Sequence, residues 1–467
     1  MRGMDKRFKP YSLDEPLALS PDMREWLPAG HLAHFIIDVV GELDLSPIVV
    51  KYKGRRGQPP YHPVMMVRLL FYAYCIGKPS SRKIERATYE DVAFRMLAGN
   101  QHPDHDTIAT FRKLHLVELA RLFLQVLQLC QHAGLTQMGH VALDGSKVKA
   151  NASKHKAMSY ERMLKTEAKL VQEMEALLAQ AQEVDREEDE RYGKGVRGDE
   201  LPGELARRES RLNKIREAKA ALEKAAREKA VEKAEKQRKK IAERERKEKE
   251  AGKTLPGGRP HPPEDPDEAV PEPKSQRNFT DPQSRIMKDG ATKAFEQAYN
   301  GQIVVDSASQ VIVAASVTQD ANDKKQLVPM LSAVKANLGR LPDATSADSG
   351  YFSEENVTAP SLADVDLYIA TGRQKHGQEV EETRGEAADG TSEKEKMRHK
   401  LQTAEGRDIY RMRKAIVEPV FGQIKDVRGF RRFSFRGLWA VTCEWDIISM
   451  THNVLKLFRA GVQFHPA

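Results

Sequence analysis

The sequence predicts an α/β protein in which a mixed sheet is preceded by an all-helical N-terminal region and interrupted by a charged helical insertion. Apolar residues recur at helical spacing through about the first 135 of the 467 residues. From about residue 276, short β-branched runs alternate with amphipathic segments, as in an α/β domain. Between these parts, Glu, Lys, Arg, Ala and Gln dominate. We therefore divide the chain into residues 1–135, 136–160, 161–275 and 276–467.

The composition favours a globular protein with a polyanionic partner. Hydrophobic residues make up 40% of the chain and charged residues 31%. The formal net charge is +8, and a basic excess favours nucleic acid. The three cysteines are far apart and odd in number, so we expect no disulfide framework and a reducing compartment. Neither a secretory segment nor an apolar stretch of membrane-spanning length is evident, so we expect a cytoplasmic protein without a membrane partner.

The N-terminal region predicts four helices, which cover His31–Leu43, a segment that begins near Pro63, Ser81–Leu97 and Asp106–Ala133. Asp104 or Asp106 can cap the start of the fourth helix, and Gly134 can end it. Basic residues near the short turns allow two interpretations, a helix-turn-helix that binds DNA or an ordinary helical hairpin with solvated charges. These residues are Arg82, Lys83, Arg86, Arg112 and Lys113.

The segment after this region opens the α/β domain and then leaves it. A short strand, His140–Leu143, is closed by Asp144. Residues 161–250 carry two apolar stripes separated by a break near residues 193–203, which predicts a helical hairpin or a short coiled coil. A solvated helix is the alternative for the second half. Residues 251–275 are rich in Pro and Gly and predict a flexible linker.

The remaining segment restores the α/β pattern. We predict a hairpin at Ala298–Asp306 with Gln310–Thr318, a helix at Asn322–Leu338 and a strand at Thr345–Asp348. Another helix is opened by Ser353 and Glu355-Asn356, and it is followed by a strand at Asp366–Thr371 and by two late helices at Asp408–Gln423 and Leu438–Phe458. This order is that of an RNase H-like domain with a mixed sheet. The sequence lacks GxxxxGK[ST] and GxGxxG, which excludes simple ATP-driven and dinucleotide chemistry.

Three acidic residues stand where such a domain would bring them together. Asp144 closes the first strand, Asp348 closes the fourth, and Glu418 lies on a late helix. Since the first and fourth strands of an RNase H-like sheet are neighbours, we expect the two aspartates to converge, with the helix bringing Glu418 near. Three carboxylates repel one another, and Mg²⁺ relieves that conflict with oxygen ligands. Alone, each aspartate is compatible with a simple turn and Glu418 with a solvated position, so the joint pattern carries the metal hypothesis.

Two segments around the aspartates resemble a known family. Leu143–Ser153 (LDGSKVKANAS) is similar to the first-aspartate segment of DDE insertion-sequence transposases, in the broad group that includes the IS-four and IS-five types. Ala347–Val357 (ADSGYFSEENV) is similar to their second-aspartate segment. The helical N-terminus also resembles the domain that precedes the catalytic domain in this group.

The third segment resembles the family signature, which is Tyr, two residues, Arg, three residues, Glu, six residues and Lys. Tyr410 and Arg413 have the first spacing, and Glu418 and Lys425 have the last. Four residues rather than three separate Arg413 from Glu418, so Lys414 has the spacing that the signature gives to Arg. Glu418 and Lys425 are seven residues apart and share one face of a helix.

The resemblance implies a Mg²⁺-dependent transposase, for which Mn²⁺ can substitute, with Asp144, Asp348 and Glu418 as catalytic and metal-binding residues. It implies cutting and joining of double-stranded DNA at terminal inverted repeats, with transposon ends and target DNA as partners. We expect a homodimer in the synaptic complex and a nucleoid-associated bacterial protein. Basic and aromatic residues interleave in this part of the chain, as suits DNA binding. The predicted DNA-binding residues are Tyr410, Arg413, Lys414, Lys425, Arg428, Arg431 and Arg432.

Two other functions stay open at this point. One is a different metal-dependent nuclease of RNase H-like fold, which would cut without strand transfer. The other is a non-catalytic DNA-binding relic of a transposase. Trp439 and Trp445 allow base stacking, but we expect both to be core residues.

Overall fold

The computed structural model describes residues 22–52, 59–192, 203–254, 257–258, 261–290, 292–372, 382–383, 385, 387 and 390–464. The helices are α1 Leu32–Gly41, α2 Ser46–Val49, α3 Pro63–Cys75, α4 Ser81–Glu90, α5 Val92–Leu97, α6 His105–Leu114, α7 Leu116–His132, α8 Tyr160–Tyr192, α9 Gly203–Ala251, α10 Leu327–Leu338, α11 Glu354–Val357, α12 Glu393–Gln402, α13 Ala404–Gly422 and α14 Leu438–Arg459. None of the helices in these ranges is long and apolar enough to cross a membrane.

The strands form one mixed sheet and one short ribbon. They are β1 His140–Lys149, β2 Ala157–Ser159, β3 Gln276–Asn278, β4 Arg285–Lys288, β5 Phe295–Asp306, β6 Ile312–Thr318, β7 Ala344–Ala347 and β8 Asp366–Ile369. The main sheet has the order β4-β5-β1-β7-β8, with β6 also paired to β5, while β2 and β3 form the ribbon. Strand β1 is antiparallel to β5 and parallel to β7. The α/β class, the mixed sheet and the helical N-terminal region are thus confirmed.

Strand β1 is longer than predicted, and Asp144 lies inside it rather than at its end. The antiparallel register with β5 continues from Val141 to Lys149, so the backbone beyond Asp144 still has ladder partners. Gly145 makes this possible. A Cβ atom there would overlap the amide nitrogen of Gln302 and lie 3.0 Å from Oδ1 of Asn300, both on β5.

Two predicted N-terminal helices are each divided in two. Asp91, with extended backbone, separates α4 from α5 and caps α5 by accepting hydrogen bonds from two backbone amides. His115 separates α6 from α7 and is buried, with its ring bonded to the Tyr52 hydroxyl at 3.0 Å. The predicted cap is confirmed at Asp104, which accepts from the Thr107 amide at 2.7 Å. Gly134 has the left-handed conformation expected after a helix end.

Helix α14 joins the N-terminal helices to the sheet. Buried residues of α1, α3, α7, the sheet and α14 form one continuous apolar core. Asn453 on α14 shows this link, because its side chain exchanges two 2.8 Å hydrogen bonds with the Ile312 backbone of β6. Trp445 is a core residue, as expected, but Trp439 is 63% exposed, so the core prediction is wrong there.

The insertion contains two long helices that run antiparallel. Glu167 on α8 pairs with Arg216 and Lys219 of α9 at 2.9 and 2.7 Å, and buried side chains of both helices form a separate small core. The predicted break falls on residues 193–202, outside the described residues. The flexible linker that we predicted at residues 251–275 is not confirmed in its described part. This part packs along α9, where Asp267 pairs with Arg227 at 3.2 Å.

Candidate active site

Asp144 and Asp348 are carried by neighbouring parallel strands. Leu143 on β1 is the register partner of Ala347, the last residue of β7, so an aspartate follows directly in both cases: Asp144 within β1 and Asp348 just after β7. Asp144 Oδ1 accepts a hydrogen bond from the Gly145 amide at 2.8 Å. Asp348 Oδ1 accepts one from the Gly350 amide at the same distance. The Asp144 carboxylate is therefore oriented by the next backbone amide of β1, and the Asp348 carboxylate by an amide of the turn that follows β7.

The environment of Asp144 disfavours its charged form. The pKa of this carboxyl is raised to about 6, chiefly by burial, and the nearby Asp348 and Asp323 carboxylates contribute in the same direction. The Arg413 guanidinium opposes them, since its Nη1 lies 3.4 Å from Asp144 Oδ2. Buried carboxylates that repel one another create a local demand for positive charge.

Asp323 is a site residue that the sequence analysis missed. The helix predicted from Asn322 begins only at Leu327, which leaves Asp323 in the segment before α10. Its Oδ1 accepts hydrogen bonds from the side-chain amides of Asn300 and Gln302, both at 2.6 Å. The sequence contained part of this information: apolar residues at helical spacing begin only at Leu327, which places Asp323 before the helix.

Buried polar side chains fasten the Asp323 segment to the Asp348 turn. The Tyr351 hydroxyl donates to Gln302 Oε1, and burial raises the pKa of this tyrosine well above its ordinary value. The Asn356 side chain donates to the Tyr351 and Lys324 carbonyls, both at 2.7 Å. The segments that carry the two aspartates are thus held together by direct hydrogen bonds.

Helix α13 contributes a cation and an aromatic ring. Arg413 is buried, faces Asp144, and lies 5.8 Å from the centre of the Tyr410 ring. Burial raises the pKa of Tyr410, and Arg413 opposes that rise. Arg413 Nε is buried and has no hydrogen-bond partner in the described part of the chain. The structure therefore brings both residues to the aspartates.

Glu418 is not brought to the aspartates. It lies five residues after Arg413, which is about 140° around the helix, and its side chain is exposed, as is that of Lys414. In the described ranges, the acidic groups that raise the pKa of Asp144 are Asp348 and Asp323. No group of three or more His, Cys, Asp or Glu side chains there is arranged to hold a metal ion.

The remaining predicted DNA-binding residues have different surroundings. Lys425 reaches strand β1, where its Nζ donates to Ser146 Oγ at 2.7 Å and to the Lys147 carbonyl at 2.8 Å. Burial lowers the pKa of Lys425. Arg428 is 3% exposed and donates to the Ile448 carbonyl at 3.1 Å, so it belongs to the interior.

Arg431 and Arg432 lie on the surface beside strand β1. The Lys149 amide donates to the Arg431 carbonyl at 3.1 Å, which continues the hydrogen bonding of the strand edge. The Arg431 guanidinium pairs with Asp426, and both arginine side chains are exposed. They are accessible to a nucleic acid, whereas Arg428 is not.

Comparison with known families supports a particular class of protein. Residues 266–454 match the family described as Transposase DDE domain, and residues 21–114 match the family described as Transposase domain (DUF772). The matches support a DNA transposase, and within that class they support the DDE transposases. The first range includes Asp348 and Glu418, while Asp144 precedes the insertion and lies outside it. No curated protein and no solved structure matches the chain.

Proposed function

We propose that this chain is a metal-dependent DDE transposase of the group that includes the IS-four and IS-five types. It would cut and join double-stranded DNA at the terminal inverted repeats of an insertion sequence, acting on bacterial nucleoid DNA in the cytoplasm. The observation that carries the proposal is that Asp144 and Asp348 directly follow the register pair Leu143 and Ala347 of the adjacent parallel strands β1 and β7. The transposase matches on both sides of the insertion agree with it.

The proposal includes an RNase H-like fold for the α/β domain. Its support is the strand order β6-β5-β1-β7-β8, in which β5 is antiparallel to its neighbours and β7 and β8 are parallel to β1. This arrangement places β1, which carries Asp144, beside β7, which Asp348 follows, and this is what an RNase H-like chain order requires.

Mg²⁺ or Mn²⁺ is the cofactor that we propose for the site. Its oxygen ligands would be the Asp144 and Asp348 carboxylates, whose chemistry suits a hard divalent cation. The raised pKa of Asp144 agrees with this fit, since burial, with smaller contributions from Asp348 and Asp323, disfavours the charged carboxylate, and a bound cation would favour it. When bound, a pair of such ions activates the attacking oxygen and stabilises the leaving oxygen of a phosphodiester.

Glu418 enters the proposal as the third ligand of the DNA-bound state. Its exposed position on α13 means that a shift of this helix must accompany its binding. The helix has two features that lower the cost of such a shift: Pro419 lies inside it, and a π-helical turn at Gln423–Val427 follows it.

The basic residues would hold the DNA. Arg413 and Tyr410 lie beside Asp144, so they would contact the phosphate next to the cleaved bond. Lys414, Arg431 and Arg432 are exposed and would contact the flanking backbone. Lys425 would fix the strand that carries Asp144. We propose that the helical hairpin forms a coiled-coil contact in a homodimer that joins two DNA ends.

The experiment uses purified protein and a labelled duplex that carries the element's own terminal repeat. Mg²⁺ or Mn²⁺ is added, with EDTA as the control, and a plasmid serves as target. We expect metal-dependent cuts at the repeat boundary and joined products, both lost in Asp144→Asn, Asp348→Asn and Glu418→Gln. Glu355→Gln, an exposed glutamate near the Asp348 turn, is the matched control.

The same experiment separates the two other functions. Cutting without joined products would indicate a metal-dependent nuclease, and binding without cutting would indicate a DNA-binding relic. Normal cutting by all three folded variants would refute the carboxylate assignment.

A further inference from the structure

We propose that the β4–β5 hairpin contacts DNA bound at the candidate active site, with the Phe295 ring inserted between bases and Lys288 and Lys293 on phosphates. This inference rests on the proposed function, because a transposase supplies the duplex. The hairpin consists of β4, the first residues of β5 and the turn between them. None of these three residues is among the DNA-binding residues predicted from the sequence.

The exposed ring of Phe295 is the first observation. Phe295 is the first residue of β5 and is 62% exposed, whereas every residue of this strand from Gln297 to Asp306 is buried. A single exposed apolar side chain is ordinary on a protein surface. The ring therefore indicates a binding surface only together with its neighbours.

Two lysines flank the ring. Lys288 is the register partner of Phe295, so the two side chains project from the same face of the hairpin. Lys293 lies in the turn two residues before Phe295, and both lysine side chains are exposed. An aromatic ring between cations suits a nucleic acid, since the ring can stack on bases while the ammonium groups neutralise phosphates.

The acidic residues of the hairpin have partners of their own. The Asp289 carboxylate accepts a hydrogen bond from the Thr292 amide at 2.7 Å and one from its hydroxyl at 3.0 Å. Glu296 pairs with Lys149 of β1 at 3.1 Å. Since Glu296 follows Phe295 on the strand, its side chain projects from the opposite face. The face that carries the ring is therefore positively charged.

The ring projects from the same face of the sheet as the Asp144 carboxylate. Asp144 is the register partner of Ile303, which lies eight residues after Phe295 on β5. Side chains an even number of residues apart on a strand share a face. Eight residues span at most about 27 Å, which equals the rise of about eight base pairs. A duplex bound at Asp144 can therefore reach the ring.

The tip of the hairpin lies near Lys425, which contacts the strand that carries Asp144. Burial lowers the pKa of Lys425, and the Asp289 carboxylate opposes this change more than any other charged group. Lys425 donates to Ser146 Oγ at 2.7 Å, two residues after Asp144 and on the same face. The turn of the hairpin is thus close to one side of the site rather than remote from it.

The hairpin is fixed at both ends before any DNA binds. Met287 is 2% exposed, and Ser284 Oγ donates to Gln297 Oε1 at 2.8 Å near the base. At the tip, the Asp289 amide donates to the Ala294 carbonyl at 2.9 Å. Inserting a side chain between bases requires unstacking, and a preformed hairpin adds little ordering cost to it.

The test uses the full chain with Mg²⁺ and a repeat duplex already cut at the repeat boundary, so that the readout needs no cleavage. 2-Aminopurine replaces one base at a time over about ten base pairs, and its fluorescence rises where stacking is lost. We expect a rise at one or two adjacent positions within about eight base pairs of the boundary. Phe295→Ala should lose this rise and bind the duplex about fivefold or more weakly, whereas Phe295→Trp should retain both.

The lysines are tested by the salt dependence of binding. Lys288→Gln and Lys293→Gln should each lower the slope of log affinity against log salt by about one, while the fluorescence rise persists. Val270→Ala is the control, because Val270 is 72% exposed on the insertion and should behave like the wild type in both measurements. All these positions are exposed, so melting temperatures should stay unchanged.

An unchanged fluorescence rise and affinity in Phe295→Ala would overturn the inference, as would a wild type that binds the duplex without any rise. A change of oligomeric state in Phe295→Ala without DNA, measured by mass photometry, would assign the ring to a contact between copies of the chain. Protein that opens the base step but neither cuts nor joins would refute the transposase proposal alone. Protein that binds no duplex would refute both.

Discussion

The Arg413 guanidinium on α13 lies 3.4 Å from the Asp144 carboxylate in the middle of β1, and both groups are largely buried. The two residues are far apart in sequence, because the insertion lies between them. It is one direct link between the helix that carries the family-like signature and the sheet that carries the aspartates. The protein thus already places a positive charge at the position where a substrate and its cations would add further positive charge.

Replacing Asp144 with Asn should stabilise the metal-free protein at neutral pH. The folded-state pKa is raised to about 6 from 3.8, so the folded protein takes up a proton before the unfolded chain does as pH falls. Wild-type stability therefore decreases as pH rises from about 4 to about 6, whereas Asp144→Asn lacks this loss. We expect the variant to gain about 1–3 kcal/mol in free energy of unfolding at pH 7.

Denaturant titrations in EDTA from pH 4 to pH 8 measure this difference. The two proteins should converge near pH 4, and Glu355→Gln should follow the wild type throughout. An Asp144→Asn variant that is less stable at every pH would show that the ion pair with Arg413 outweighs the cost of burial.

Gly145→Ala should damage the site more than the fold. The added methyl group would overlap the Gln302 amide and press on Asp323 Oδ1, which are bonded to each other. We expect a loss of about 1–3 kcal/mol in stability and a larger proportional loss of Mn²⁺ binding and DNA cleavage. Gly139→Ala is the control, since its nearest side-chain atom would be 4.0 Å away. Equal losses of stability, Mn²⁺ binding and DNA cleavage in the two variants would contradict the close packing around Gly145.

Arg428 should differ from Arg431 and Arg432 in how its removal affects DNA binding. The exposed pair can neutralise phosphates, so Arg431→Ala and Arg432→Ala should each reduce the salt dependence of log affinity by about one unit of slope. Arg428→Met should leave that slope unchanged and lower stability by about 1–3 kcal/mol, because buried carbonyl and hydroxyl groups lose their donor. Fluorescence anisotropy over a salt series gives the slopes, and a reduced slope in Arg428→Met would reverse our interpretation.

The insertion should be removable without unfolding the sheet. Ser159 and Gln276 are register partners at the end of the β2–β3 ribbon, so an Asn-Gly turn can replace residues 160–275. The exposed Lys325–Glu232 pair that would be lost contributes little. We expect a folded protein that keeps Mn²⁺ binding but no longer dimerises on DNA. Circular dichroism and mass photometry check both points, and a dimer that persists would exclude the hairpin as the dimer contact.

Chain order and periodicity were sufficient to predict most of the frame. The β5–β6 hairpin, α14 and the adjacency of the strands bearing Asp144 and Asp348 follow from local patterns and one topological rule. The breaks at Asp91 and His115 were not predicted, because apolar spacing continues across them. Strand β4 and helix α12 were missed since neither carries a strong apolar pattern.

The site was harder to predict than the frame. Asp323 belongs to it only through Asn300 and Gln302, whose orientation depends on sheet pairing that a sequence pattern does not show. Glu418 has the spacing of a known signature, yet the rotation of α13 exposes it. The spacing of residues along a helix predicts which of them share a face, but the packing of the helix determines in which direction that face points.

The position of Asp144 inside β1 has a consequence for ion size. Its backbone is clamped by β5 on one side and lies next to β7 on the other, so it cannot follow a change in ionic radius. Asp348 instead lies directly after β7, in a turn that Asn356 ties to the segment before α10 by hydrogen bonds to the Tyr351 and Lys324 carbonyls. In the proposed metal site, adaptation from Mg²⁺ to the larger Mn²⁺ or Ca²⁺ would therefore come from the side of Asp348, with Asp144 as the fixed point against which the distance is set.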